Sequence, residues 1–173
     1  MNAVLAALLE SDARAAQRLS RWRPPRWFRA LVMVATRLGD GWGWIALAAL
    51  LTLGGRAYRE VLAGTLAAAL ATLAFSRLKR RFMRRRPCEL LGLAYDVRVA
   101  DRFSFPSGHS ATSFAIATLL SLAFPQLAPL FLAMAAAIAA SRVVLGLHYV
   151  SDVLAGAALG ELLGALCYAV LLG

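Results

Sequence analysis

Long apolar stretches alternate with short punctuations rich in Arg, Gly and Pro along this chain, and the apolar stretches set its elements. Residues 57–78, 107–124, 127–145 and 148–172 each carry enough apolar sequence to cross, or nearly cross, a bilayer as a helix. Pro125 and Pro129 fit a tight turn and the first turn of the helix after it, where a missing amide proton costs least. Residues 42–53 are apolar but short for a span, and are fronted by Trp42 and Trp44, which suit the headgroup level. Residues 1–21 pattern as an amphipathic helix, with Val4, Leu5, Leu8 and Leu9 followed by Asp12, Arg14, Gln17 and Arg18. Its apolar length is too small to span, which predicts a helix lying at the interface. Trp22-Arg-Pro-Pro-Arg-Trp27 is a turn with two aromatic anchors; residues 29–38 form a second mixed helix closed by Leu38-Gly-Asp-Gly41. The pattern leaves two arrangements of residues 27–54 open, one kinked span or a surface helix followed by a short span. The predicted fold is all-α: a polytopic transmembrane helical bundle of five or six spans, with residues 1–26 an amphipathic N-terminal segment and 27–173 the transmembrane domain.

Composition strengthens this picture and narrows the partners. The chain is 61% hydrophobic and 16% charged, with a mean hydropathy of +0.67, which excludes an ordinary soluble domain. Its 19 basic against 9 acidic residues give a formal net charge of +10. A basic balance fits nucleic acid, anionic lipid headgroups or an anionic substrate. So much apolar sequence disfavours the nucleic acid and leaves lipid or phosphate. The two cysteines, Cys88 and Cys167, lie far apart, one near a membrane boundary and one deep in the last apolar segment, and predict neither a disulfide nor a metal site. The N-terminal apolar run at 3–9 precedes its charges and lacks a small-residue cleavage site, so it does not pattern as a cleavable signal.

Three polar blocks interrupt the apolar pattern. The first is Lys79-x6-Arg86-Pro87, whose seven-residue spacing, on a continuing helix, sets an ammonium and a guanidinium on nearly one face. Arg80, Arg81, Arg84 and Arg85 surround them, and the bland reading is a polybasic membrane border. The second is Ser104-Phe-Pro-Ser-Gly-His109, a turn before an apolar helix, where unpaired amides and the helix dipole favour an anion. Ser107 also fits a plain N-cap. The third is Ser141-Arg142-x5-His148-x3-Asp152, in which a helical i, i+4 spacing lets the carboxylate reach the imidazole and stabilise its charged form. Each block alone has a structural explanation. Together they hold both histidines of the chain, and threading the predicted spans puts all three at one side of the membrane. Cations, helix-terminal amides and a His–Asp pair converging there predict a phosphate site with an internal nucleophile.

The last apolar segment carries Gly156, Gly160 and Gly164 at four-residue spacing, a ridge that predicts close helix packing. Glu161 lies on the opposite side of that helix from His148 and Asp152, which places it outside the site.

The three blocks, in this order, resemble the type 2 phosphatidic acid phosphatase superfamily, over about residues 40–160 and including Gly39-Asp40-Gly41, a feature often seen upstream in bacterial members. The resemblance implies that His148 is the nucleophile forming a phosphohistidine, with Asp152 orienting it and His109 acting as general acid. It implies that Lys79, Arg86 and Arg142 hold the nonbridging oxygens, helped by Ser107 and the Gly108 amide. No metal and no cofactor are expected, because the cations stabilise the charge that a divalent ion stabilises elsewhere. The implied substrate is a lipid phosphate in the bilayer, with undecaprenyl diphosphate first, and phosphatidylglycerol phosphate, phosphatidic acid or lipid A phosphate as alternatives. A reading of another class is a non-catalytic phospholipid-binding or transport protein; binding alone needs the cations but neither histidine. The resemblance also implies a bacterial cytoplasmic (inner) membrane and a site facing the periplasm. The basic residues at 77–86, Arg98, Arg102 and Arg142 argue for the cytoplasmic side by the positive-inside rule. One kinked span at 27–54 would carry the Arg-rich N-terminus to the side opposite the site and remove that conflict.

Overall fold

The computed structural model describes residues 3–55, 57–92 and 101–173. Among these residues the secondary structure is helical, without a strand: α1 (Ala3–Arg21), α2 (Arg26–Arg37), a π turn (Leu38–Trp42), α3 (Gly43–Leu53), α4 (Tyr58–Phe82), α5 (Pro87–Leu90), α6 (Gly108–Ala123), a 3-10 turn (Pro125–Leu127), α7 (Ala128–Val144) and α8 (Val150–Leu171). Arg98 and the middle of the 88–105 loop lie outside the described residues.

α6 is the axis of the bundle. Ala111, Ala115, Ala117 and Leu119 are wholly buried where α6 meets α4, α7 and α8. The helices around it turn small residues inward: Ala63, Ala67 and Ala71 on α4, and Gly156, Gly160 and Gly164 on α8. A Cβ on any of those three glycines would collide with the α6 backbone, at the carbonyls of Ser107, Ala111 and Ala115 in turn. The glycine ridge is therefore what lets α8 lie directly on α6. Large apolar side chains point the other way, among them Leu62, Leu66 and Leu70 on α4 and Leu154, Leu162 and Val170 on α8, all exposed. Small inside and large apolar outside is the distribution expected of helices whose solvent is lipid. Three helical stretches are long and apolar enough to cross a membrane, Tyr58–Leu90, Pro125–Val144 and Val150–Leu171. α6, with 16 residues, and α3, with 11, are apolar but shorter. Glu161 is exposed on α8 and lies outside the site.

Residues 27–54 form a unit of two helices meeting at a kink, and Phe28 and Val32 of α2 pack with Leu145 and Leu147 just beyond α7, which favours the surface helix followed by a short span. α2 runs through the π turn straight into α3, and the kink falls at Gly41, whose φ of 109° is open to glycine and strained for other residues. The unit does not carry the N-terminus away from the site. On α1, Asp12 accepts a hydrogen bond from the Ser151 amide at 3.1 Å, and Thr36 on α2 accepts one from Arg142. Both N-terminal helices therefore sit at the end where α4 and α7 finish and α6 and α8 begin. The N-terminus thus lies at the end of the site, as a surface helix followed by a short span requires, and not opposite it, as a single kinked span would place it.

Gly160→Ala tests the ridge. Alanine is intrinsically better than glycine in a helix by about 1 kcal/mol, so a net loss isolates the close approach. The variant should lose about 1–3 kcal/mol and melt at a lower temperature in detergent; an unchanged or raised Tm would show that α8 does not rest on α6 in this way.

Candidate active site

Each block is placed by a local break in helical structure. α4 ends because Met83 adopts the left-handed conformation, with φ 46° and ψ 34°, and Arg84–Arg86 then run out of the helix to Pro87, the first residue of α5. Lys79 and Arg86 thus do not share a helix face, as the seven-residue spacing predicted. They meet because the chain turns back. Gly146, at φ 63°, turns the chain after α7, and the amides of Leu147 and His148 both donate to the Arg142 carbonyl, at 3.0 and 3.2 Å. His148 therefore precedes α8 and does not sit on it. Asp152 is the third residue of α8, and its Oδ2 accepts from the Tyr149 amide at 2.9 Å, completing a capping box. The helical i, i+4 geometry expected for the pair is replaced by a cap. Backbone bonds stitch the blocks together: Ser104 N donates to Arg84 O at 2.8 Å, and Ser107 N to Asp152 O at 2.9 Å.

The result is a cavity of about 320 Å³ lined by Lys79, Arg86, Arg142, Gly108, His109 and His148, with Asp40, Asp101 and Thr112 also in its wall. Six of the eight predicted site residues line it. Asp152 stands behind His148, wholly buried. Ser107 is engaged as the N-cap of α6, its hydroxyl accepting from the Ser110 amide and hydroxyl at 3.4 and 2.9 Å. The phosphate-facing wall at that turn is Gly108 and His109.

Arg86 fixes the state of His148. Its Nη1 lies 3.1 Å from His148 Nε2 and also donates to the Leu147 carbonyl at 2.8 Å. A guanidinium only donates, so Nε2 carries the lone pair and Nδ1 the proton. Nδ1 faces Asp152 Oδ2 at 3.6 Å, too long for a hydrogen bond, and has no other partner among the described residues. Burial lowers the His148 pKa to about 3, with Arg86 and Arg142 adding to the effect and Asp152 opposing it. At neutral pH the ring is uncharged, with its basic nitrogen bared towards the cavity as soon as Arg86 turns to another acceptor. An uncharged imidazole with an accessible lone pair can act as a nucleophile or a base.

His109, across the cavity, gives its Nε2 to Asp40 Oδ1 at 2.9 Å. The Asp40 carboxylate orients the ring and supports its protonated form, while burial and the charge of Arg142 work against that form. Asp40 reaches it through the Gly39-Asp40-Gly41 turn. Gly41 supplies the kink, and a Cβ on Gly39 would strike the His109 ring at 2.8 Å. Asp101 is the second carboxylate that sequence reasoning missed. Its Oδ1 accepts from Lys79 Nζ at 3.0 Å, from Arg86 Nη2 at 2.8 Å and from the Phe103 amide at 3.2 Å. Burial works against its ionisation, but the hydrogen bond and charge of Lys79, with Arg86, outweigh it and hold the carboxyl below the usual range. A carboxylate thus occupies the cations that a phosphate would use. Arg142 lines the same cavity with its Nε unpartnered, which leaves donor capacity for an anion. Three cations outnumber two carboxylates in this wall, and among the described residues no His/Cys/Asp/Glu group has the makings of a metal site.

A second cavity, of about 350 Å³, opens between α3, α4 and α6. It shares Gly39, Asp40 and Thr112 with the first and is otherwise mostly apolar, with Trp44, Leu51, Ala68 and Ile116 in its wall. A polar, cationic chamber therefore continues into a greasy groove.

Comparison with known proteins finds relatives over most of the chain. The PAP2 superfamily profile matches residues 57–172. The decaprenylphosphoryl-5-phosphoribose phosphatase of Mycobacterium tuberculosis is 35% identical over 126 residues, 73% of this chain and 69% of that protein. Among solved structures, a transmembrane PAP2 type phosphatidylglycerolphosphate phosphatase from Bacillus subtilis superposes with a TM-score of 0.75 at 30% identity, covering 98% of this chain and 87% of that one. LpxE of Aquifex aeolicus superposes with a TM-score of 0.74 at 26% identity, covering 94% and 95%.

The Asp101 contact makes a prediction that needs no substrate. Removing one unit of charge at about 4 Å is worth on the order of 1 kcal/mol even with the screening of water, about fivefold in binding. Asp101→Asn should therefore bind inorganic phosphate about fivefold tighter in titration calorimetry. Weaker binding would mean that Asp101 serves to hold Lys79 and Arg86 in place, and that it is no competitor of the anion.

Proposed function

The chain belongs to the PAP2 superfamily, and we propose that it is an integral-membrane phosphatase that removes phosphate from a membrane lipid through a phosphohistidine on His148. The observation that carries this reading is a cavity in which the two histidines face one another among three cations, opening into an apolar groove. In the first step Lys79, Arg86, Arg142 and the Gly108 amide hold the nonbridging oxygens. Arg86 leaves Nε2 for the phosphate, and Nε2 forms the bond to phosphorus as the bond to the leaving oxygen breaks. His109 gives that oxygen its proton, and Asp152 stabilises the charge that develops on the His148 ring. In the second step His109 takes a proton from water, which attacks phosphorus and frees His148. No step calls on a metal. The groove between α3, α4 and α6 receives the hydrocarbon chain, so the headgroup enters the cavity while the tail stays among apolar side chains. Undecaprenyl diphosphate remains in the substrate set. The relatives' names, decaprenylphosphoryl-5-phosphoribose and phosphatidylglycerolphosphate phosphatase, give equal place to a phosphate carried on the headgroup of a lipid.

α3, α4, α6, α7 and α8 make five crossings in this reading, in a bacterial inner membrane, with α1 and α2 on its surface. The position of α1 and α2 favours a site on the cytoplasmic face, against the periplasmic expectation. Arg14, Arg18, Arg21, Arg23, Arg26 and Arg29 then join the basic cluster of α4 on one side, as the positive-inside rule requires. Reporter fusions at the two ends of the chain check this: a cytoplasmic N-terminus with a periplasmic C-terminus is expected, and the reverse would restore the outward-facing site.

Phosphate release from purified lipid phosphates in detergent tests the chemistry. His148→Ala should lose activity by on the order of a thousandfold or more. His109→Ala should lose less on p-nitrophenyl phosphate, whose leaving group needs no proton, than on a lipid substrate. Turnover by His148→Ala, or no release by the wild type from any lipid in a panel of monoesters and diphosphates, would rule the reading out.

A further inference from the structure

Among the described residues of the N-terminal helix one is buried, and that residue sits on the charge network behind the nucleophile. α1 makes its main contact with the bundle at α8. There Asp12, only 5% exposed on an otherwise largely exposed helix, accepts from Arg84 Nη2 at 2.9 Å and from the Ser151 amide at 3.1 Å. Its Oδ2 also takes the Ser151 hydroxyl. Arg84 in turn donates from Nη1 to Asp152 Oδ1 at 2.7 Å and to Ser151 Oγ at 2.8 Å, and its guanidinium lies 3.8 Å over the Tyr149 ring. The other oxygen of Asp152 is the one facing His148. Charges thus alternate from Asp12 to Arg84 to Asp152 and end at the histidine.

Each link has a physical consequence. Arg84 alone beside Asp152 would draw the carboxylate's charge to itself, and so weaken its hold on the imidazolium that forms during attack. Asp12 neutralises Arg84 from the far side and fixes the direction of its guanidinium plane. Arg84 also carries the backbone carbonyl that accepts from Ser104, so its placement registers the turn holding Gly108 and His109. We propose that Asp12 is a positioning residue of the reaction, through which the surface helix α1 holds Arg84 on Asp152 and so sets the His148 ring. The proposal rests on the reading of His148 as the nucleophile.

The test uses the full-length protein in detergent with a lipid phosphate that the wild type hydrolyses. Asp12→Ala should lower kcat about tenfold or more, since small misplacements of a reacting group cost that much. KM and the inhibition constant of inorganic phosphate should stay within about twofold, because the cations of the cavity are untouched. Asp12→Glu, which keeps the charge, should recover most of kcat. The double variant Asp12→Ala/Arg84→Ala should be no slower than Arg84→Ala, as expected of two residues acting as one unit. A wild-type kcat in Asp12→Ala would overturn the proposal. So would a parallel loss of phosphate binding, which marks a merely structural contact, or losses that multiply in the double variant. Failure of the underlying reading shows separately, as turnover by His148→Ala.

Discussion

Cations held nearly dry at one end of a helical bundle must each find a partner, and the site is organised by that requirement. Lys79, Arg86 and Arg142 are 5%, 3% and 3% exposed. An unpaired charge so placed costs several kcal/mol. Asp101 answers Lys79 and Arg86, and backbone carbonyls of Phe103 and Leu147 take further donors. Thr36 takes one arm of Arg142. The arrangement is stable without substrate and unequal to it, because the partners are single carboxylates, carbonyls and a hydroxyl. A phosphate offers several charged oxygens at once. On the proposed reading, arrival of that anion would exchange an adequate set of contacts for a better one, so that a buried cationic pocket can stay folded while empty and still bind.

The same constraint explains why the surrounding helices have their particular shape. Bringing four chain segments to one point requires that α8 lie on α6 without intervening side chains, and the ridge of Gly156, Gly160 and Gly164 permits it. Asp40 must reach His109 from a helix that would otherwise pass by, and the π turn with Gly41 redirects it. Met83 ends α4 so that Arg84 and Arg86 can leave its surface in different directions. Arg86 goes to the cavity and Arg84 to the rear of Asp152.

The helical class and most of the residues that meet at the cavity were legible because their signals are local. Apolar length marks helices, and the three blocks are short strings whose residue types name their chemistry. Helical arithmetic misled wherever the helix stops. Lys79 and Arg86 face the cavity by a chain reversal, and His148 meets Asp152 through a capping turn. The carboxylates were illegible for another reason. Asp12 lies 139 positions from Ser151 and Asp40 lies 69 from His109, and no string of residues records a pairing made across the fold. Arg84 was hidden differently, among neighbouring arginines that form a plain membrane border. Only its direction separates it from Arg80 and Arg81.

Direction also decides what the nucleophile can be. A histidine beside a carboxylate is commonly thought of as activated by that carboxylate, yet here the 3.6 Å separation leaves Nδ1 without a hydrogen bond. The resting ring is held instead from its other nitrogen, by Arg86. That cation suppresses nucleophilicity while the cavity is empty, because it occupies the lone pair. In the proposed reaction, a phosphate that draws Arg86 to its own oxygens frees Nε2 in the same movement. Positive charge then develops on the ring as phosphorus is attacked, and Nδ1 gains its reason to close on Asp152. On that proposal binding and activation are one event: the side chain that would recognise the anion is the one that would release the nucleophile to attack it.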